Sequence, residues 1–426
     1  MSDYSTYPDS ENRFGLDSFN APDDREDLAS VWTGHRLIRS ALAPIRSRPF
    51  YCNPVILFLA VWLLMLASLS VRVSEVIYPS FGTPLLVFGI SAGALLLGYF
   101  ACTAVLSSPA SQKEPAPYIL DVTLIWRLNF LFLILALALV FFNWSASGPP
   151  PAIGDPSTYL TYGRFKQVLF PLASTIAVNS TLDTARFRRY TFLLFAIGIL
   201  ILYVARGILL VTFLQMFFLF SLRTNKSRKK QYVIALGFLT VAIACGTIFG
   251  DLRTAHDIFI SFLKIRDKYA DWPMAWLWLV SYVSIPFSNL CWIVSHASSQ
   301  GPSLAFLYPI LPTFAAPNSP YISVYASTNI VDNASTYLQN YVLDFSYLGI
   351  YFANLLLGIG CGWIVKRAYP RHILILSIFL SAMSLIFFTD MFFLLSTVIQ
   401  LVVQRMVEKR CFWWAARSER FAHELA

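Results

Sequence analysis

The stretch NASTYLQNYVLDFSYLG, Asn333 to Gly349, changes character partway along. It begins polar, with Asn333, Ser335, Thr336, Gln339 and Asn340, and then enters an apolar run that continues to Val365. One carboxylate, Asp344, stands where polar becomes apolar. The run that follows is long enough to cross a bilayer, which takes about 20 residues in a helix. An acid at the entrance to such a run has two readings. It is a helix-start charge, favoured by the helix dipole, or it does chemistry at the membrane rim, where ionisable groups are costly and kept for function.

The rest of the chain has the same apolar character. Of 426 residues, 57% are hydrophobic and 13% charged, against about 25% charged in an ordinary soluble domain. The apolar residues form solid blocks, not the alternating segments of a transmembrane β-barrel. The composition therefore predicts an all-α, polytopic integral membrane protein. Spans are expected near 53–71, 84–106, 119–142, 165–181, 190–205, 207–222 and 232–249, and again at 341–365, 372–389 and 391–407. Two less regular pieces, 274–295 and 303–316, lie between them. The total is twelve spans, or ten if 274–316 is re-entrant.

Basic residues orient the spans. Arg36, Arg39, Arg46 and Arg48 precede the first span, and Arg186, Arg188 and Arg189 separate the fourth and fifth. Arg223, Lys226, Arg228, Lys229 and Lys230 follow the sixth; Lys366, Arg367 and Arg371 follow 341–365; Arg405, Lys409 and Arg410 end the last. All fall on one side if both termini are cytoplasmic. The net charge of +9 thus resides between spans and does not point to nucleic acid. The first thirty residues carry eight acids against Arg13 and Arg25 and no apolar signal-peptide core. Residues 1–52 read as a disordered cytoplasmic tail, acidic then basic, and 411–426 as a second cytoplasmic tail. The cysteines, at 52, 102, 245, 291, 361 and 411, form no CxxC pair and no zinc or haem spacing, so they read as small packing residues.

On this orientation 250–340 is one external region between spans 53–249 and the last three, 341–410. Its first part, GDLRTAHDIFISFLKIRDKYADW, carries Arg253, His256, Lys264, Arg266 and Lys268, and its apolar residues Ile258, Phe259, Phe262, Leu263 and Ile265 predict an amphipathic surface helix. Trp272, Trp276 and Trp278 suit the headgroup zone, and Pro286, Ser288 and Asn289 are expected to interrupt the helix that follows. Arg206, followed by Gly207, sits at a tight external turn; a guanidinium there either snorkels to lipid phosphates or faces a cavity. Arg127 lies about 12 Å inside the third span at 1.5 Å per residue and reads as a structural cation. Asp390, at an outward turn, is a lesser candidate acid.

The segment NASTYLQNYVLDFSYLGIYFANLLLGIGCGW resembles the signature of the Wzy-type oligosaccharide repeat-unit polymerases, the O-antigen and exopolysaccharide polymerases. That family shows Asn-x-x-Thr, an Asp-Phe-Gly eight residues beyond the Thr, and then Gly and Leu-Gly inside the next span. Here these fall on Asn333, Thr336, Asp344, Phe345, Gly349, Leu357 and Gly358. ARGILL and FGDLR, which carry Arg206 and Arg253, and YVSIPFSNL, Tyr282 to Leu290, are also similar to the family pattern. The likeness covers about 160–365. Serine stands at 346 where the family usually has glycine.

The resemblance implies a metal-independent membrane glycosyltransferase without cofactor. Its substrate is an oligosaccharide repeat on undecaprenyl diphosphate, and it acts at the outer face of the bacterial inner membrane alongside a flippase and a chain-length regulator. Arg206 and Arg253, then Arg164, Lys264 and Arg266, are the candidates to stabilise the diphosphate leaving group. Asp344 and His256 are both candidates for the base. Asn333, Thr336, Gln339, Asn340, Tyr282 and Asn289 are candidates to bind sugar. An O-antigen ligase or another polyprenyl-phosphate glycosyltransferase would share this chemistry. A lipid-linked oligosaccharide flippase would be expected to show related halves, and none is visible.

Overall fold

The computed structural model describes residues 49–106, 122–150, 165–203, 205–223, 232–233, 236–237, 240, 256–296, 305–311, 336–368, 372–387, 392 and 394–425. The described elements are helices: α1 (Pro54–Val71), α2 (Gly82–Val105), α3 (Val122–Ser147), α4 (Lys166–Ser180), α5 (Arg186–Leu202), α6 (Arg206–Arg223), α7 (His256–Phe262), α8 (Asp267–Ala270), α9 (Met274–His296), α10 (Gln339–Trp363), α11 (Ile373–Ser384) and α12 (Leu395–Leu425). Short 3-10 turns occupy Phe50–Cys52 and Ala305–Ile310.

Among these, α1, α2, α3, α9 and Gln339–Lys366 are long and apolar enough to cross a membrane. Several are apolar on the outward face as well as the inward one. Leu63, Leu64, Leu85, Leu86, Leu97, Phe130, Leu131 and Phe141 are exposed large hydrophobics, as expected of helices solvated by lipid. The protein is a helical membrane protein. Entry into α1 shows the local logic: Asn53 caps it by accepting the N–H groups of Val55 at 2.9 Å and Ile56 at 3.4 Å, with Pro54 in the first helical position.

The closest helix pair is α2 with α10, and glycine makes it so. A β-carbon on Gly358 would collide with the Leu95 carbonyl oxygen, and one on Gly98 with that of Leu355. At Gly362 it would meet the Cys102 β-carbon at 2.8 Å. Such small-residue seams let helix backbones touch where no hydrophobic force drives helices together in lipid. A buried asparagine pins the seam: Asn354 Nδ2 donates to Ser91 Oγ of α2 at 3.2 Å and to the Ile350 carbonyl at 2.7 Å. Elsewhere, Gln215 of α6 and Gln400 of α12 exchange two amide hydrogen bonds, 2.9 and 2.7 Å long.

Contacts sort the helix ends into two groups. At one end Arg223 donates to the Thr181 carbonyl at 3.3 Å and Arg188 pairs with Asp183 at 3.0 Å. Ile125, Val178, Leu182, Leu219, Leu374 and Val407 form an apolar layer there. Arg405 and His372 gather at Glu408, whose buried carboxylate also accepts the N–H of Leu374 at 2.8 Å and so caps α11. This basic end carries the described members of the positive clusters that the sequence placed on one side. The opposite end holds the connection 72–81, helices α7 and α8, the start of α6, the end of α11 and the entrance to α10. There Ser74 bridges to Ile265, Tyr337 N–H bonds the Ile386 carbonyl at 3.1 Å, and Val211 packs with Leu385 and Phe392.

Three expectations are corrected. Pro286 was expected to interrupt its helix, yet α9 runs unbroken from Met274 to His296; proline removes one backbone hydrogen bond, and buried neighbours hold the turn. The amphipathic helix is split: α7 ends at Phe262, Lys264 adopts a positive φ of 47°, and α8 begins at Asp267. Phe259, Leu263 and Ile265 are buried as expected, while Phe262 faces outward. The block 341–365 is not one straight span, as described next. The span expected at 232–249 lies almost wholly outside the described residues, as do Arg36–Arg48, and 411–425 continues α12 as helix.

Candidate functional site at the break in α10

Helix α10 breaks at Ser346, whose φ of 53° and ψ of −136° are not helical. This left-handed region suits glycine and strains other residues. Gly349 shows how far the chain turns. Residues eight apart in a straight helix stand about 12 Å apart along its axis. Here a β-carbon on Gly349 would collide with the Tyr341 carbonyl oxygen. The arm 339–345 therefore folds back against the main helix, and only glycine at 349 permits the contact. The Ser346 backbone adopts a conformation that glycine takes without strain.

Asp344 lies in the short arm, two residues before the break. It is 2% exposed, and Oδ2 accepts the Phe306 N–H at 3.1 Å. The Phe306 ring stacks on Tyr341 at 5.7 Å and tilts against Phe345 at 5.9 Å. The 3-10 turn Ala305–Ile310 thus covers the break and holds its acid. Asp344 lies past the first turn of the arm that begins at Gln339 and two residues before Ser346, beyond which the main helix resumes.

The polar residues before Asp344 build the arm. Thr336 is 2% exposed; its Oγ1 accepts the Leu338 N–H at 3.3 Å and its carbonyl the Gln339 N–H at 3.2 Å. Gln339 and Asn340 are half-buried. Tyr337, which the sequence did not single out, donates its hydroxyl to Asn354 Oδ1. It links the arm to the α2–α10 seam and at the same time, through its backbone, to Ile386 of the α11 end. The signal was present as one Asn inside the apolar run of α10.

Helix α9 supplies the neighbouring wall. Tyr282 stacks on Trp278 at 4.9 Å, and Asn289 is 1% exposed. Both ends of α9 are fastened to the connection after α1. Just before α9, Tyr269 donates to the Val71 carbonyl at 2.6 Å; near its end, Trp292 Nε1 donates to the Val76 carbonyl at 3.2 Å and Tyr78 meets Ser295 at 2.6 Å. Lys264 and Arg266 stand at the same end: the Lys264 carbonyl accepts the Glu75 N–H and the Arg266 N–H bonds the Val73 carbonyl, both at 3.0 Å.

Arg206 is the first residue of α6, at the Asp344 end, and His256 is the first of α7; their side chains lie outside the described residues, as do Arg164, Arg253, Asn333 and Asp390 entirely. Thr336, Gln339, Asn340 and Asp344 share one arm, while Tyr282 packs on the same core from α9, the helix that also carries Asn289. Comparison with protein-family models, curated proteins and solved structures found no match.

Proposed function

We propose that this chain is a membrane glycosyltransferase of the repeat-unit polymerase kind, acting on oligosaccharides carried by undecaprenyl diphosphate. The observation that carries the reading is the break at Ser346. The motif resemblance places a glycine requirement at 346 and 349, and a positive φ and a backbone-to-backbone contact arise at those two positions. A chance likeness in an apolar span would give no reason for either.

On this reading the bond between the anomeric carbon of the growing chain and its diphosphate oxygen breaks. The same carbon forms a bond to a hydroxyl of the incoming repeat, and undecaprenyl diphosphate leaves. Arginines at the Asp344 end take the growing negative charge of the diphosphate. The hydroxyl proton passes to Asp344 or His256. Because Asp344 is covered by the Phe306 turn, it meets an acceptor sugar when that turn moves aside.

The same reading orients the bundle. The basic end faces the cytoplasm, which places the break at the outer face of the inner membrane. Helix α9, tied near both ends to Val71, Val76 and Tyr78, then lies across the outer end, which supports the count of ten crossings over twelve. Deletion in the native host tests the function. Loss of long surface glycan with a single repeat retained is expected. Loss of every surface repeat would replace this reading with a ligase or a flippase.

A further inference from the structure

Helix α12 is inverted. Its buried side chains among the described residues are Thr397, Gln400, Gln404, Val407 and Glu408, at helical spacing along one face, while Val402 and Met406 are exposed. Polar groups buried in a membrane bundle are costly unless they find partners. Gln400 pairs with Gln215 of α6, and Glu408 caps α11. Gln404, between them and fully buried, has no partner for either amide atom among the described residues.

Two more buried amides reach the same level. Asn129 of α3 lies one turn from Ile125 on one side and one turn from Leu133 on the other. Ile125 packs with Val178 and Leu182 of α4, and Leu133 with Leu172 and Ile176, so Asn129 faces α4. The Phe165 N–H, at the start of α4, donates to Asn143 Oδ1 of α3. Counted from that contact along the two antiparallel helices, Asn129 and Asn179 fall at one level. Ser174 meets Thr212 of α6, and Gln215 meets Gln400. Counting along these parallel helices puts Gln404 within about 3 Å of the Asn179 level, at 1.5 Å per residue. Val407, one turn on from Gln404, joins Ile125 and Val178, and α3, α4 and α12 all pack on one another. Asn129 Oδ1, both amide atoms of Asn179, and the hydroxyl of Thr175 one turn before it are buried and without partners among the described residues.

The unspent atoms are of both kinds, oxygens and N–H groups. A cation would be ligated by the oxygens but repelled by the N–H groups, and Glu408, the acid on this face of α12, is spent on α11 and His372. Water both gives and takes hydrogen bonds, and it is held in buried sites that offer it two to four polar partners. Apolar side chains bound the level on either side: Ile125, Leu182 and Val407 toward the basic end, Leu133, Leu172 and Ile176 toward the Asp344 end.

We infer that α3, α4 and α12 enclose a water-binding site lined by Asn129, Thr175, Asn179 and Gln404, and that bridging water fastens the polar face of α12 to α3 and α4. The site stands whatever reaction the chain performs.

X-ray radiolysis of the purified protein in detergent, read by mass spectrometry, tests it. Hydroxyl radicals arise from water itself, so a buried side chain beside bound water is oxidised and a dry one is not. Val178 and Val407 should be oxidised several-fold more than Ile176, which is equally buried on the α5 side of α4. In Asn179→Leu/Gln404→Leu the excess should vanish, and in the milder Thr175→Val it should fall in part. Labelling of Val178 and Val407 no greater than that of Ile176 in the parent overturns the site. Stability supplies a second reading. Asn179→Leu alone strands Gln404 and should lower the SDS midpoint, and adding Gln404→Leu should recover part of the loss, since an apolar pair leaves no group unpaired. Losses that simply add would mean that the two amides share no site. Replacing sodium chloride by N-methylglucamine chloride should leave the parent midpoint unchanged; a midpoint that falls would put a metal cation in place of water.

Discussion

Replacing Ser346 with glycine should stabilise the protein, and the sign carries the test. At φ 53° and ψ −136° a residue with a β-carbon bears strain of about 1–3 kcal/mol. Glycine removes that strain but gives the unfolded chain more freedom, which costs about 0.4–1 kcal/mol. The balance favours Ser346→Gly by roughly 1 kcal/mol. Ser346→Ala keeps the β-carbon and should show no gain. In a regular helix the outcome reverses, since glycine in a helix interior costs about 0.5–1 kcal/mol relative to alanine. Unfolding by titration with SDS, followed by circular dichroism, reads the difference between the two variants. A Ser346→Gly protein less stable than Ser346→Ala would mean that α10 runs straight through 346. The folded-back arm, and the placing of Asp344 at a break, would then be wrong.

Other outcomes follow from single contacts. Gly358→Ala drives a β-carbon into the Leu95 carbonyl; backbone cannot swing aside, so the loss should reach the upper end of the ~1–3 kcal/mol typical of overpacking, and an unchanged SDS midpoint would refute the seam. Asp344→Asn should lower chain growth on a lipid-linked repeat by about 10²–10⁴-fold if the carboxylate takes the acceptor proton. Phe306→Pro, which removes both the N–H that Oδ2 accepts and the ring packed on Tyr341 and Phe345, should leave growth far less affected. Equal losses in both would make Asp344 a fastening for the turn. For orientation, a cysteine placed by Ser261→Cys, on the exposed side of α7, should react with an impermeant thiol reagent added outside cells, and one placed by Ser227→Cys should not. The reverse pattern would turn the bundle over.

Much of the architecture was legible because lipid imposes simple rules. Apolar blocks gave most helices to within a few residues, and charge sorting anticipated that Arg188, Arg223 and Arg405 would meet at one end. What escaped were features whose cause lies in another segment. Pro286 reads as a breaker in isolation, but its helix is held along both walls by α1 and α2. The run 341–365 reads as one span because hydropathy has no term for direction. Its reversal depends on a φ at Ser346 and on an empty β-position at Gly349, and composition records neither. Glu408 reads as one more charge at a helix end, whereas it caps α11 from across the bundle.

The position of Asp344 follows from the requirement that the chain break where it does. A carboxylate buried in a membrane bundle needs hydrogen-bond donors, and a straight helix offers none to the side chains along its middle. Folding the arm back at Ser346 brings Asp344 against a second segment, and the Phe306 N–H supplies a donor. Glycine at 349 lets the arm lie close enough to be buried, and Tyr337 ties the arm's start to Asn354. The turn that covers the acid bonds it through the Phe306 N–H and packs the Phe306 ring on Tyr341 and Phe345. Those are interactions of modest net worth, about 0.5–3 kcal/mol for the hydrogen bond to a charged group and its neutral counterparts. On the proposed function, the arrangement keeps a carboxylate buried at rest beneath a turn that an arriving lipid-anchored sugar displaces.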